Sequence, residues 1–243
     1  LSSAQHARHA VKAGGPSGSP AFAVSGTKKR LRRRRRLRLA AASLILLAGL
    51  ALISYPFVSD WLNQRAQDAV SNTQQQTVAA LKPADLSAEK AKAEAYNAHL
   101  RDGSSRVVDP FDQDDASPGN DEYESVLNVD GDGVMAELII PSISVDLPIY
   151  HYTTEEPLSH GVGHVVNTSV PIGGDSTHSV LAGHTGLPTA RLFDRLDELK
   201  KGDWFIIRVL GEDHAYKVYS TEVVLPSEVD SLTTEEGRDL VTL

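Results

Sequence analysis

Cysteine is absent from the 243 residues. Its absence excludes disulfides, even in a compartment that permits them, and removes the commonest nucleophile that a catalytic histidine could serve. Acidic residues are absent from the first 38 positions, which carry eleven Lys/Arg, while the rest holds thirteen basic and thirty-two acidic residues. Charge of either sign is absent from the twenty-one residues Leu39 to Ser59, LAAASLILLAGLALISYPFVS. What remains is ordinary. With 41% hydrophobic and 23% charged residues the chain suits one or two globular domains, so arrangement rather than composition carries the information.

The uncharged run matches the ~20 residues needed to cross a hydrocarbon core of roughly 30 Å. Just before it, KKRLRRRRRLR (Lys28 to Arg38) places nine cations in eleven residues. A basic run alone fits nucleic acid or a nuclear address. Beside a membrane-length segment it is topogenic, keeping the N-terminus cytoplasmic and the acidic bulk outside. A cleaved signal peptide has a shorter apolar core, ~7–15 residues, and a small-residue cut site. Here Tyr55-Pro56-Phe57 ends the run. Residues 1–38 are therefore read as a basic cytoplasmic tail, disordered over 1–27, and 39–59 as an uncleaved signal anchor in the cell membrane. No nucleic-acid partner is expected.

Beyond the anchor, Asp60 to Leu81 reads helical, with an apolar stripe at Leu62, Ala66, Ala69, Val70, Thr73, Thr77 and Leu81. Pro83 breaks it, and Ser87 is the expected N-cap of a second helix that Asp102-Gly103 stops. These two helices occupy 60–103. An acidic loop follows to Asp132. From Gly133 the pattern turns strand-like: VMAELII, ISVDLPIY, HSVLAG, DWFIIRV and HAYKVYSTEVV are short β-rich runs between Pro, Gly, Asp and Lys. Only ARLFDRLDEL (Ala190 to Leu199) reads as helix among them. Few helices and five or more strands argue for a barrel or sandwich, with Leu181 and Ile206 facing its core.

Within GHTG (Gly183 to Gly186) the glycines allow a sharp turn that leaves His184 at a cleft rim. Imidazole is the side chain suited to moving protons near neutral pH. His151, His160, His164, His178 and His184 also raise the question of zinc. His160 and His164 are four apart, but Gly161 and Gly163 lie between them and no acidic general base is interleaved, so no metal is expected. NVDGDGVMAE imitates the first half of a calcium loop, but Ile139 stands where a bidentate Glu is required, and a turn before a strand is expected instead.

The order of LAGHTGLP, LFDRLDELKKGD and an aromatic-bearing strand resembles the sortase family. ELIIPSISVDLPIYH and LSHGVGHVVNTSVPIGG fit its early strands, EEGRDLVTL fits the lead-in to its TLxTC strand, and the likeness runs from about Glu137 to Leu243. Asp109-Pro110-Phe111 resembles the lid tripeptide of class C, pilin-polymerising sortases. The resemblance implies a mainly β fold: a sortase-type barrel over 133–243, a lid loop over 104–132, a transmembrane helix and two amphipathic helices before them. It implies a cysteine transpeptidase, without cofactor, that cleaves an LPXTG-type sorting signal and joins it to a pilin lysine. In that chemistry His184 protonates the leaving amine, and a cysteine and an arginine complete the site. Thr242-Leu243 supplies the first two letters of TLxTC, so the expectation is of a chain cut before its nucleophile and inactive as it stands. The alternatives are a non-catalytic sortase-like ectodomain that binds pilins or sorting signals, and a zinc hydrolase.

Overall fold

The basic run and the uncharged run fall in one helix, α1 (Val24–Ala80), which contains Pro56. The structure, a computed structural model, describes residues 24–102, 120–187, 190–225 and 232–243, with side chains described from Arg30 onward. The tail through residue 23 and the tripeptide Asp109-Pro110-Phe111 lie outside the described residues. The chain divides into two units, one ending at Ile53 and one spanning Ser54–Leu243. In the first, Leu44, Ile45, Leu46, Leu47 and Leu52 are all exposed. An apolar helix surface with no protein against it is suited to lipid. Among the described residues α1 is the one helix long and apolar enough to cross a membrane.

The second unit is a nearly closed seven-stranded barrel. Its strands are β1 (Val134–Ile140), β2 (Val145–His151), β3 (Val162–His164), β4 (Thr177–Ala182), β5 (Trp204–Val209), β6 (Glu212–Lys217) and β7 (Asp239–Thr242). Their order is β6-β5-β1-β2-β3-β4-β7. Pairings are antiparallel except β2 with β3 and β4 with β7. The β5–β6 hairpin turns on Leu210 and Gly211, both at positive φ (47° and 79°), the two-residue geometry that follows strand twist. A bulge between Val134 and Ala136 marks the start of β1. Edge strand β6 is mostly exposed and carries Glu212, Asp213 and Lys217, charges that discourage edge-to-edge association.

β1 and β4 are buried almost throughout, so they lack the alternation of a half-exposed strand. Helices pack against the strands. α2 (Pro83–Asp102) brings Ala93 and Tyr96 into the main core beside Leu138, Ile140, Ile149 and Leu181. Its Asn97 grips both backbone groups of Val170, donating to the carbonyl (3.2 Å) and accepting from the N–H (2.8 Å). α2 begins at Pro83 rather than after Ser87, because proline suits the first helical turn, and the Ser87 hydroxyl bonds back to the Pro83 carbonyl. The described part of α2 runs to Asp102.

Two further expectations are corrected. The part of α1 after the uncharged run does not dock through Leu62, Ala66 and Ala69. It buries Gln67, Ser71, Gln74 and Val78. Gln67 donates to the His160 carbonyl (2.9 Å) and Gln74 to the Val134 carbonyl (3.0 Å), so amide side chains satisfy sheet backbone that would otherwise be buried bare. ARLFDRLDEL forms no α-helix; only the 3-10 turn Leu196–Glu198 is regular. The Phe193 N–H is committed to the His184 carbonyl (3.0 Å) instead of a helical partner, and Ala190, Leu192, Phe193 and Leu199 are all buried, on no single helical face. In β5 the inward residues are Phe205, Ile207 and Val209, while Ile206 is only partly buried; Leu181 is in the core as expected. The acidic loop contains α3 (Asp121–Ser125), capped by Asn120, and the fully buried Tyr123.

Candidate active site

β4 runs straight into Gly183-His184. A Cβ on Gly183 would meet the Phe193 ring at 2.7 Å, so glycine is what lets that ring pack under the loop. Gly186, at φ +73°, donates its N–H to the Asp194 carboxylate (2.6 Å). Arg195 bonds the Ile143 carbonyl (3.1 Å) and pairs with Glu198, and Arg191 pairs with Asp60 at 3.3 Å. The backbone on both sides of His184 is thereby fixed. The His184 imidazole is half-buried, and among the described residues none hydrogen-bonds it. It is an imidazole on a rigid mount.

β7 lies parallel beside β4. Thr177 is level with Asp239, His178 with Leu240, Ser179 with Val241 and Val180 with Thr242. At the start of β7 the Asp239 carboxylate accepts from the Gly174 N–H (3.0 Å) and from the Tyr216 hydroxyl of β6 (3.1 Å), which ties the two sheet ends together. Above that tie β6 and β7 part, leaving a cleft of about 650 Å³ lined by His178, Phe205, Tyr216, Leu240 and Thr242.

The five histidines go to different places. His151 is buried, with Nδ1 2.9 Å from the Gly133 carbonyl and Nε2 2.9 Å from that of Val126. His160 is exposed at the end of α4 (Glu155–His160). His164 is fully buried; its Nε2 donates to the Ser169 carbonyl (2.8 Å) and its Nδ1 accepts from the Tyr123 hydroxyl (2.8 Å). Burial pushes the His164 imidazole down to about 4, and pushes the Tyr123 phenol well up. His178 bonds Thr233 and Thr242. Asn128 to Gly133 is a turn in which Asn128 accepts from the Gly133 N–H (3.0 Å) and Asp132 from the Val134 N–H (3.1 Å).

A second polar centre was not legible in the sequence. Glu137, buried on β1, accepts from Gln75 of α1 (2.9 Å) and from Arg208 of β5 (3.1 Å). Asp146 on β2 is pushed up to about 7, first by desolvation, then by its repulsion from and hydrogen bond to Glu137, with Asp68 adding and Arg208 opposing. A glutamate in a β-run is the sole trace of this in the sequence. His178 lies in the run HSVLAG and Asp239 in EEGRDLVTL, but neither run assigned these side chains a structural role.

A sortase-domain family profile matches residues 138–243. Sortase C-1 from Actinomyces oris is 48% identical, with a TM-score of 0.59 over 64% of this chain and 86% of that one. Sortase C-1 from Streptococcus pneumoniae is 38% identical, with a TM-score of 0.66 over 71% and 87%. Sortase A of Bacillus anthracis is 29% identical over 116 residues, 48% of this chain and 53% of that protein. The chain spans about half the length of the curated relatives it matches.

Proposed function

Because the chain belongs to the sortase family, with class C sortases among its structural relatives, we propose that it is a membrane-anchored cysteine transpeptidase of pilus assembly. It cleaves an LPXTG-type sorting signal and joins the new carboxyl end to a lysine of the next pilin. The anchor is residues 39–59, with the basic tail cytoplasmic and the barrel outside.

One observation carries this reading: the parallel register of β4 and β7. Thr242 is level with Val180, and His184 lies four residues beyond Val180. A strand continuing in that register brings the fourth residue after Thr242 level with His184. In the TLxTC pattern begun by Thr242-Leu243, that residue is the cysteine. The cleft between β6 and β7 is then the space for the strand bearing the arginine.

The chemistry follows from that placement. The thiolate adds to the threonine carbonyl carbon, and the arginine holds the resulting oxyanion. Collapse breaks the Thr–Gly bond as the His184 imidazolium gives its proton to the departing amine. A lysine amine then attacks the thioester, passes a proton to His184, and releases the thiolate. By its resemblance to the class C tripeptide, Asp109-Pro110-Phe111 is assigned the role of a lid; Asp109→Ala with Phe111→Ala is expected to speed reaction of the nucleophile with a thiol reagent.

Incubating the full-length protein with an LPXTG-type peptide and a lysine-bearing acceptor tests the reading. Joined product is expected, with a loss of ~10²-fold or more in His184→Ala. Peptide bound but never cleaved would select the non-catalytic binding ectodomain, and turnover retained in His184→Ala would refute the assignment.

A further inference from the structure

His178 is buried at the second residue of β4. Its Nδ1 lies 2.9 Å from the Thr233 carbonyl oxygen, an acceptor only, so that nitrogen carries the proton. Its Nε2 therefore presents a lone pair, and the Thr242 hydroxyl, 2.8 Å away, donates to it. Burial pushes this imidazole below its usual range and keeps it in that neutral form. One ring thus holds the entry to β7 at Thr233 and the strand itself at Thr242.

The strand needs holding. β7 pairs with β4 through four residues, and of those four on β7 only Leu240 is buried. A one-residue slip would turn Val241, which packs against the main core, to the other face and is resisted by the core. A two-residue slip keeps Leu240 on the same face and is not. It would carry the strand by about 7 Å, at ~3.3 Å per residue, far more than a nucleophile and its acid can tolerate. Asp239 pins the start of β7. His178 and Thr242 are diagonal on one face and bond in one register alone, because a two-residue slip removes the hydroxyl from reach.

We propose that His178 is a positioning residue, fixing the register of β7 on β4 by gripping Thr242 so that the residues following Leu243 meet His184. This rests on the transpeptidase reading above.

The test uses Thr242→Val, which deletes the donor at nearly constant volume, Thr242→Ser, which keeps it, and His178→Ala, all in the full-length protein. Peptide cleavage is expected to lose ~10- to 100-fold in kcat in the valine and alanine variants, with KM within about twofold, and the serine variant to recover most of it. Two readouts do not depend on turnover. Long-range proton–nitrogen NMR should find His178 protonated at Nδ1 and bare at Nε2, with the Nε2 signal moving in Thr242→Val. Hydrogen exchange at the Leu240 and Val241 amides should accelerate about tenfold in the same variant. An unchanged kcat and unchanged exchange in Thr242→Val, or the opposite tautomer, would overturn the proposal. If His178→Ala does not fold, Thr242→Val carries the test. Peptide bound but never cleaved by the parent protein would instead sink the transpeptidase reading, leaving tautomer and exchange to judge the register clip.

Discussion

The Phe193 ring occupies the space that a side chain on Gly183 would need, and the Phe193 N–H holds the carbonyl of His184 at 3.0 Å. Packing beneath the loop and placement of the proposed acid are therefore one event.

Gly183→Ala tests that coupling. The new methyl must displace the buried Phe193 ring, at a cost of about 1–3 kcal/mol for overpacking. Urea unfolding should record the loss, and cleavage by the full-length variant should fall further than stability alone explains. A variant as stable and active as the parent would mean that the loop relaxes freely.

The polar face of α1 makes the second test. Gln74→Leu keeps the volume but leaves the buried Val134 carbonyl without its donor, at a cost of about 1–3 kcal/mol. Leu62→Gln, on the exposed face, should change stability by less than about 0.5 kcal/mol. Equal costs at the two positions would mean that the helix docks on another face.

That reversal also marks what the sequence could reveal. WFIIRV announces a strand because its residue types favour one, yet nothing local distinguishes Phe205 from Ile206 as the inward set; the pairing with β1 decides. The apolar spacing of ARLFDRLDEL is that of a helix, but tertiary contacts to Phe193 and Leu192 draw it into a strap beneath His184. The buried stripe Gln67, Ser71, Gln74 reads as solvent-facing because hydrophobic periodicity sees side chains and not the backbone carbonyls waiting opposite. Tyr123 hides in an acidic stretch for the same reason, since its burial depends on His164 forty-one residues away. GHTG was legible as a unit, whereas His178 and Asp239 act through partners that only the β4–β7 pairing brings near.

His164 predicts acid sensitivity. Its folded imidazole is pushed from 6.5 to about 4 by burial, so between those values the unfolded chain binds the extra proton. Its contribution is fully present above pH 6.5 and is lost as pH falls toward 4, on the order of 3 kcal/mol in all. Urea midpoints measured across that window should fall in the parent. His164→Gln should start lower at pH 7, having lost the Tyr123 contact, but decline less steeply. Parallel slopes would assign the acid loss to carboxylates.

Asp146 predicts the opposite trend. Its carboxyl is raised from 3.8 to about 7, chiefly by desolvation and by Glu137, so here the native state binds the extra proton. The groups facing it come from every neighbouring element: Glu137 on β1, Asp68 on α1 and Arg208 on β5, the last also paired with Asp213 on β6. The stabilising contribution is complete below pH 3.8 and disappears as pH rises toward 7. Above that the ionised Asp146 faces Glu137 and Asp68 beside a guanidinium already paired with Glu137 and Asp213. Asp146→Asn removes the repulsion while keeping a hydrogen-bond donor for Glu137. It should stabilise the protein by roughly 1 kcal/mol at pH 8, a figure discounted because solvent reaches Asp146, and the gain should vanish at pH 4. Glu137→Gln is the control: it also relieves Asp146 but surrenders the buried ion pair with Arg208, so it should gain less or lose. Urea midpoints for both variants at pH 4, 6 and 8 decide the matter. An Asp146→Asn effect of equal size at all three would mean that the carboxyl is already ionised throughout and that the α1–barrel junction does not titrate.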